Sequence, residues 1–449
     1  MMKNPIFDFA AHYTDVGGVR MHMPGHKGRA LLGCEAMDIT EIDGADSLYE
    51  ASGIIAESEK NAALLFGAHK TLYSTEGSSQ CIRAMLALIR SHGERIRKNG
   101  YILAARNVHK TFVTAAGLLD LEVRFLAPSE GASLLYAPID LCALERIFEA
   151  DAPLALYITS PDYLGNVAPI ERLSALCHRF GVLLCVDNAH GAYLRFLSPS
   201  RHPLDLGADL CCDSAHKTLP ALTGASYLHL NKGLPDGFYE QAKDAMALFG
   251  STSPSYLILA SLDLVNGLLA DEFPKKIQEF LPLCERFKER LLRHGFTLTG
   301  DEPLKVALMP KSFGYTGKEI AAHLRSANIE CEFADADSLV LMLSPYMDED
   351  VLTKTADRLT DLFRRAPIKD APPAPHIPRR AASIREAMLA PSESVPIEKA
   401  LGRTVCSLAV GCPPAVPPVI CGEVADEKAL AILNYYGIDE CRVRLYEKG

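Results

Sequence analysis

Between about residue 55 and residue 230 the chain alternates short apolar runs with longer segments whose apolar residues recur at helical spacing. No other feature narrows the fold so far. VLLCVD, ALYITS, ADLCCDS and ASYLHLN are apolar on both faces, as strands covered by helices on both sides are. YILAARN is a further strand. SSQCIRAMLALIRSHG places Ile82, Met85, Leu86 and Ile89 on one helical stripe, with Ser78 or Ser79 expected as its cap. IIAESEKNAALLFG reads as a helix closed by Gly67, and APIERLSALCHRFG as another. This alternation predicts an α/β domain on a mostly parallel sheet, with functional groups gathered at the carboxyl ends of the strands.

After about residue 265 the texture changes. PKKIQEFLPLCERFKERLLRHG is a long amphipathic helix, and TGKEIAAHLRSANIECEFADADSLVLMLSP reads as helix, strand, turn, strand. The expected organisation is a large domain at 1–265, a small α+β domain at 266–369, a proline-rich linker at 370–380 and a C-terminal module at 381–449. A net charge of −10 without any basic run argues against a nucleic-acid partner. No apolar run approaches a membrane span and the N-terminus lacks a signal-peptide core, so a cytoplasmic location is expected. The 13 cysteines include no CxxC and are read as free packing thiols, Cys412 and Cys421 among them. Cys211 and Cys212 share a strand and should point to opposite faces.

AHKTL occurs twice, at 68–72 and 215–219. Lys70 follows the helix closed by Gly67, where a cation complements the negative helix end, so it reads as structural. Lys217 follows the strand ADLCCDS and is preceded by Ser214 and His216. Asp187 ends VLLCVD, His109 follows YILAARN, and Thr159 to Gly165 follow ALYITS. TEGSSQ opens a helix with small polar residues. Such a turn alone is ordinarily a cap, but its free amides can also hold an anion. Lysine, carboxylate, imidazole and anion cradle at strand ends meet the needs of pyridoxal 5'-phosphate (PLP). The lysine binds the aldehyde, the carboxylate keeps the ring nitrogen protonated, the imidazole stacks and the cradle takes the phosphate. No metal is expected. His22 and His26 have helical ligand spacing, but Pro24 and Gly25 between them make the segment a loop. His190 reads as a hydrogen-bonding partner of cofactor or substrate, and Asp162 as closing a turn.

SAHKTLPALTGASYLH resembles the cofactor-lysine region of the bacterial Orn/Lys/Arg decarboxylase family, PLP enzymes with the aspartate aminotransferase fold. MHMPGHKG, DITEIDGADSL, FGAHKTLYSTEGSS, RNVHKT, SPDYLGN, VDNAHGA, STSPSY, PSESVPIEKALGR and CPPAVPPVICGE follow in family order. The resemblance implies that Lys217 forms the imine, Asp187 partners the ring nitrogen, and His109 and Ala189 pack on the two ring faces. It assigns the phosphate to Ser78, Ser79, Ser214 and His216. It also implies a homodimer or higher homo-oligomer with shared active sites, in which Thr252 reaches the neighbouring subunit's cofactor phosphate. The implied reaction is α-decarboxylation of arginine or lysine, with ornithine possible, in polyamine metabolism. The receiver-like N-terminal domain of the family's long members is not expected. An aminotransferase or another PLP lyase would use the same Lys217 and Asp187, and a non-catalytic protein could inherit the same fold. Three motifs depart from the family. Its Asp-x-Leu-His-x-Pro reads Asp46, Ser47, Leu48, Tyr49, Glu50, Ala51; its Asn-Gly at the phosphate turn reads Glu76, Gly77; its Tyr-Pro-Pro-Gly reads Cys412, Pro413, Pro414, Ala415. Asp46 is the candidate reader of the substrate's distal cation.

Overall fold

The apolar runs become strands in the computed structural model, which describes residues 2–96, 100–408 and 414–446. β1 (Lys70–Ser74), β2 (Ile102–Ala104), β3 (Val123–Phe125), β4 (Ala155–Thr159), β5 (Leu183–Asp187), β6 (Leu210–Asp213) and β7 (Ser226–Leu230) form one sheet in the order β1-β7-β6-β5-β4-β2-β3. β5 pairs with β6 and β2 with β3 in parallel, while β7 runs antiparallel to both β6 and β1. Neither β1 nor β3 is among the expected strands. β1 opens on a lysine, and β3 is three residues long with an exposed arginine at its centre.

The helices are α1 (Pro5–Val16), α2 (Ile54–Phe66), α3 (Ser78–Arg95), α4 (Lys110–Leu118), α5 (Leu141–Ala150), α6 (Ile170–Arg179), α7 (Ala215–Thr218), α8 (Phe238–Ala247), α9 (Tyr256–Ala270), α10 (Phe273–His294), α11 (Gly317–Arg325), α12 (Glu349–Thr360), α13 (Ile384–Met388) and α14 (Glu427–Tyr435). Among the described residues, no helix is long and apolar enough to cross a membrane.

The chain divides into two compact units. The first comprises Met1–Gly100, Leu154–Leu156 and Pro169–Ile277. There α2 ends as its sequence dictates, with Gly67 at φ 69° donating back to the last turn. α3 buries Ile82, Met85, Leu86 and Ile89, each worth about 1.5–3 kcal/mol when fully withdrawn from water. Its cap differs from expectation. Gly77, at φ 74°, is the N-cap, and Ser78 and Ser79 are the first helical residues. The tight turn requires a left-handed residue at 77, which only glycine adopts without strain. Lys70 also differs. Its Nζ donates to the Tyr239 carbonyl at 2.7 Å instead of serving the end of α2, and burial pushes its pKa down. α1 is fastened through Asp263 on α9, whose Oδ2 accepts the amides of Ile6 (2.8 Å) and Phe7 (3.0 Å).

The second unit comprises Tyr101–Pro153, Tyr157–Ala168 and Gln278–Gly449. It holds an antiparallel sheet of β8 (Leu298–Thr299), β9 (Lys305–Leu308), β10 (Phe333–Ala334) and β11 (Leu339–Met342), ordered β10-β11-β9-β8. Thr316 and Glu319 form a reciprocal cap at the start of α11. Residues 363–379 have no regular element. β12 (Ser392–Pro396), β13 (Val405–Leu408) and β14 (Glu440–Arg444) then make a second antiparallel sheet, ordered β12-β14-β13. With α14 it encloses a separate core that includes Val395, Ile397, Val405, Leu433 and Val443.

Candidate active site

Strand β6 stops at Asp213, Ser214 caps the single turn α7, and β7 returns directly beside β6. Lys217 stands on that turn, half-buried, with Nζ 3.0 Å from His190 Nε2. His190 lies on the loop after β5, and β5 and β6 pair with Asp187 opposite Cys212. Asp187 ends β5 and is 3% exposed. Its Oδ1 accepts the Ala189 amide at 3.2 Å and lies 3.7 Å from Cys212 Sγ. Cys211 faces the other way, toward His202 and Asp213, as alternation requires. His216 donates Nδ1–H to the Ala225 carbonyl at 2.9 Å, and burial lowers its pKa, so its imidazole is neutral near pH 7. Ser214 is 1% exposed, and its Oγ has no hydrogen-bond partner among the described residues. A buried hydroxyl in that state is costly, unless something absent from the bare chain binds it.

Beneath this turn lies a network that the sequence did not disclose. Asp213, fully buried, accepts from His202 Nε2 (2.9 Å), His229 Nε2 (3.2 Å) and Asn188 Nδ2 (2.7 Å). His229 Nδ1 meets Thr71 Oγ1 at 2.9 Å. Burial alone would push the Asp213 carboxyl up, but His202 and His229 reverse this and hold it well below the usual range. His202, Cys211 and Asp213 lie close enough together to suggest a metal site. Yet His202 and His229 both already direct Nε2 at Asp213, so the arrangement reads as a closed hydrogen-bond network. It ties the ends of β5, β6 and β7 and the start of β1 together.

The turn before α3 is braced from several sides. Ser74 Oγ donates to Gln80 Oε1 at 2.6 Å and accepts the Glu76 amide at 3.0 Å. Gln80 Nε2 donates to Tyr49 Oη at 2.8 Å and to the Met246 carbonyl at 2.9 Å. The amide of Gly77 donates to Gly224 O at 2.8 Å, and a Cβ at Gly224 would lie 2.8 Å from the Thr75 carbonyl. α3 has no side-chain cap, so its N-terminus can receive an anion. Glu76 accepts the Ser251 amide and so holds the exposed segment bearing Thr252.

Asp46 is not placed to read a substrate. Its carboxylate accepts the amides of Ser47, Ser52, Gly53, Ile55 and Ala56, which makes it the cap of α2. The expectation fails because a carboxylate saturated by amides has no lone pair left for a ligand. Asp162 closes a turn as expected, accepting from the amides of Leu164 and Asn166. His22 and His26 lie in a loop, with His26 Nε2 on Asp38 Oδ2 at 3.1 Å. Cys421 packs as expected, and burial pushes its thiol up to about 11. Cys34 and Cys142 are exposed rather than packed. Cys412 lies outside the described residues.

His109 belongs to the second unit, where it caps α4. Its Nδ1 accepts the Thr111 amide at 3.1 Å, so in the neutral ring the proton sits on Nε2.

The sequence matches two family models. Residues 4–308 match the model of the Orn/Lys/Arg decarboxylase major domain, and residues 364–441 that of its C-terminal domain. The chain belongs to the Orn/Lys/Arg decarboxylase family. It is 29% identical to an arginine decarboxylase of Halalkalibacterium halodurans, over 96% of this chain and 93% of that protein. It is 28% identical to an arginine decarboxylase of Bacillus subtilis, with coverage of 96% and 93%. In structure this decarboxylase resembles a lysine decarboxylase of Pseudomonas aeruginosa with a TM-score of 0.79 and 20% identity, over 96% of this chain and 75% of that chain. A Francisella novicida lysine decarboxylase aligns with a TM-score of 0.78 and 16% identity, over 99% and 81%. At these identities the structural matches speak to the fold, which is that of PLP-dependent decarboxylases and aminotransferase-like enzymes.

Proposed function

We propose that this decarboxylase uses PLP to remove the α-carboxylate of arginine, releasing carbon dioxide and agmatine. The observation that carries the reading is the Lys217 amine, 3.0 Å from His190 Nε2, on a turn opened by Ser214, whose buried hydroxyl has no partner among the described residues. An amine on a pinned turn fits an aldehyde, and a hydroxyl lacking a partner fits a phosphate oxygen. PLP, when bound, supplies an aldehyde for the amine and a protonated ring that takes up the electron pair left by departing carbon dioxide.

The chain's own residues do the rest. Lys217 holds the aldehyde end and, once displaced by substrate, carries a proton on Nζ that it returns to the substrate Cα. His190 Nε2 is the partner through which that proton is held. The Asp187 carboxylate, buried at the end of β5, keeps the ring nitrogen protonated. His109 and Ala189 are the residues that the family resemblance assigns to the ring. The amides of α3 with Ser78, Ser79, Ser214 and His216 hold the phosphate. Arginine is favoured because the relatives similar over nearly the whole chain carry that name. We read the large domain as 1–265, the small domain as 266–369, and the C-terminal module as 381–449 beyond the linker.

We further infer a homodimer in the cytoplasm, serving polyamine metabolism. Val16, Val19, Met21, Met23, Leu31 and Leu32 are exposed on the N-terminal arm, an apolar surface that suits a second copy. Thr252, exposed on its segment, would then reach the second copy's phosphate.

Purified protein with PLP, given arginine, lysine and ornithine in turn, should release carbon dioxide fastest from arginine. Its near-visible absorption band should vanish in Lys217→Ala. Absence of carbon dioxide from all three would end the reading, and keto-acid-dependent exchange of the amino group would replace it with an aminotransferase.

A further inference from the structure

The loop that carries His109 is not fixed by the large sheet alone. Within the second unit the C-terminal module grips it at both ends. The Lys110 amide donates to the Ala415 carbonyl at 2.7 Å. Three residues before His109, Arg106 Nη2 donates to the Pro418 carbonyl at 3.1 Å and to Glu423 Oε2 at 2.8 Å. This ion pair is buried, with Arg106 8% and Glu423 1% exposed. Glu423 Oε2 also takes the Ile420 amide at 2.7 Å, closing the loop that supplies the grip. Farther along α4, Met388 of α13 packs against Gly117, where a Cβ would lie 2.7 Å from Met388 Cε. Arg385 Nη1 donates to the Leu118 carbonyl at 2.8 Å. The module has its own apolar core, so these contacts are made by a folded body and not by a trailing tail.

The imidazole itself has little freedom. Nδ1 is committed to the Thr111 amide, so the ring goes where the backbone of residues 106–110 goes. We propose that the C-terminal module fixes the conformation of the loop that carries His109, with Arg106, Glu423 and Ala415 as the positioning residues. A buried, charge-assisted bond is well suited to the task because it is short-ranged, and losing one partner leaves the other charge uncompensated. The inference rests on the PLP reading above and adds to it a role for the C-terminal module.

Lys110→Pro is the gentle probe. Lys110 is the first residue of α4, where proline fits. His109, at φ −64° and ψ 145°, already has the extended form required before proline. The substitution therefore deletes the amide that bonds Ala415 with little cost to the helix. Glu423→Gln keeps the shape and removes the charge. Arg385→Ala loosens the far end of α4 without touching residues 106–110, and serves as the comparison. The measurements are PLP affinity by titration, the visible circular dichroism of bound cofactor, and kcat and KM for arginine. Lys110→Pro and Glu423→Gln should weaken PLP about tenfold, which is ~1.4 kcal/mol. They should also alter the visible dichroism and lower kcat, while KM moves by less than about twofold. Arg385→Ala should lower Tm and leave the dichroism unchanged. Wild-type affinity and spectrum in Lys110→Pro would overturn the proposal even if Glu423→Gln failed to fold, and so would a spectral change in Arg385→Ala as large as in the other two. A wild type that shows no cofactor dichroism would instead overturn the PLP reading, and this inference with it.

Discussion

Replacing Asp213 by asparagine tests whether the charge beneath the lysine turn holds the strand ends together. The wild-type carboxylate faces three donors, His202 Nε2, His229 Nε2 and Asn188 Nδ2, and is fully buried. Asparagine offers one oxygen and one amino group. If the oxygen serves the two imidazoles, the new amino group meets Asn188. The cheapest repair turns the Asn188 amide, whose Oδ1 has no partner among the described residues, and strands its amino group instead. Two charge-assisted bonds become neutral, at about 1 kcal/mol each, and one buried donor is left unmade at about 1–3 kcal/mol. The expected loss is about 3–5 kcal/mol, read by denaturant unfolding of the apoprotein near neutral pH. The sign with pH follows from the depressed pKa. The charge stabilises the fold above the unfolded value of 3.8 and loses that effect as pH falls toward the lower folded-state value. The gap between wild type and Asp213→Asn should therefore close in acid. A loss below about 1 kcal/mol, or a gap that stays constant in acid, would refute the reasoning.

Asp46→Ala should cost about 2 kcal/mol, from the lost cap and from placing alanine at φ 69°. It should leave the ratio of kcat/KM for arginine over lysine unchanged, and a collapsed ratio would restore Asp46 as a substrate reader. Asp162, 3% exposed, is pushed up to about 6, chiefly by burial. A raised acid stabilises the fold below its unfolded pKa of 3.8 and loses that contribution as pH rises through the folded value, an interval worth about 3 kcal/mol. Asp162→Asn should gain on the wild type across that interval in unfolding measurements, and parallel pH profiles would disprove the shift.

Helical spacing made α2, α3 and α6 legible, and unbroken apolar runs did the same for β5 to β7, whose residues are all buried. Lys217, Asp187 and His190 stand out as candidates because they sit in two compact segments at strand ends. The reversed direction of β7 was not legible, since strand direction is a property of pairing and no local pattern encodes it. That reversal is also what brings His229 to Asp213, 16 residues away, so the buried network stayed hidden with it. Arg106 and Glu423 are 317 residues apart, a pairing that only the folded chain reveals. Asp46 misled because a carboxylate's charge is visible in a sequence, whereas the five amides that consume it are not.

The hairpin of β6 and β7 sets the order in which this site can come apart. The stretch from Ser214 to Ala225 is a hoop with both feet in one sheet, Asp213 standing opposite Tyr227 at its base. Both of its ends are anchored in paired strands. The segment around Ser251 to Ser253 is exposed, with the Ser251 amide on the Glu76 carboxylate. On warming, the exposed 251–253 rim is expected to loosen before the turn that bears Lys217, because that turn is anchored at both ends in the sheet.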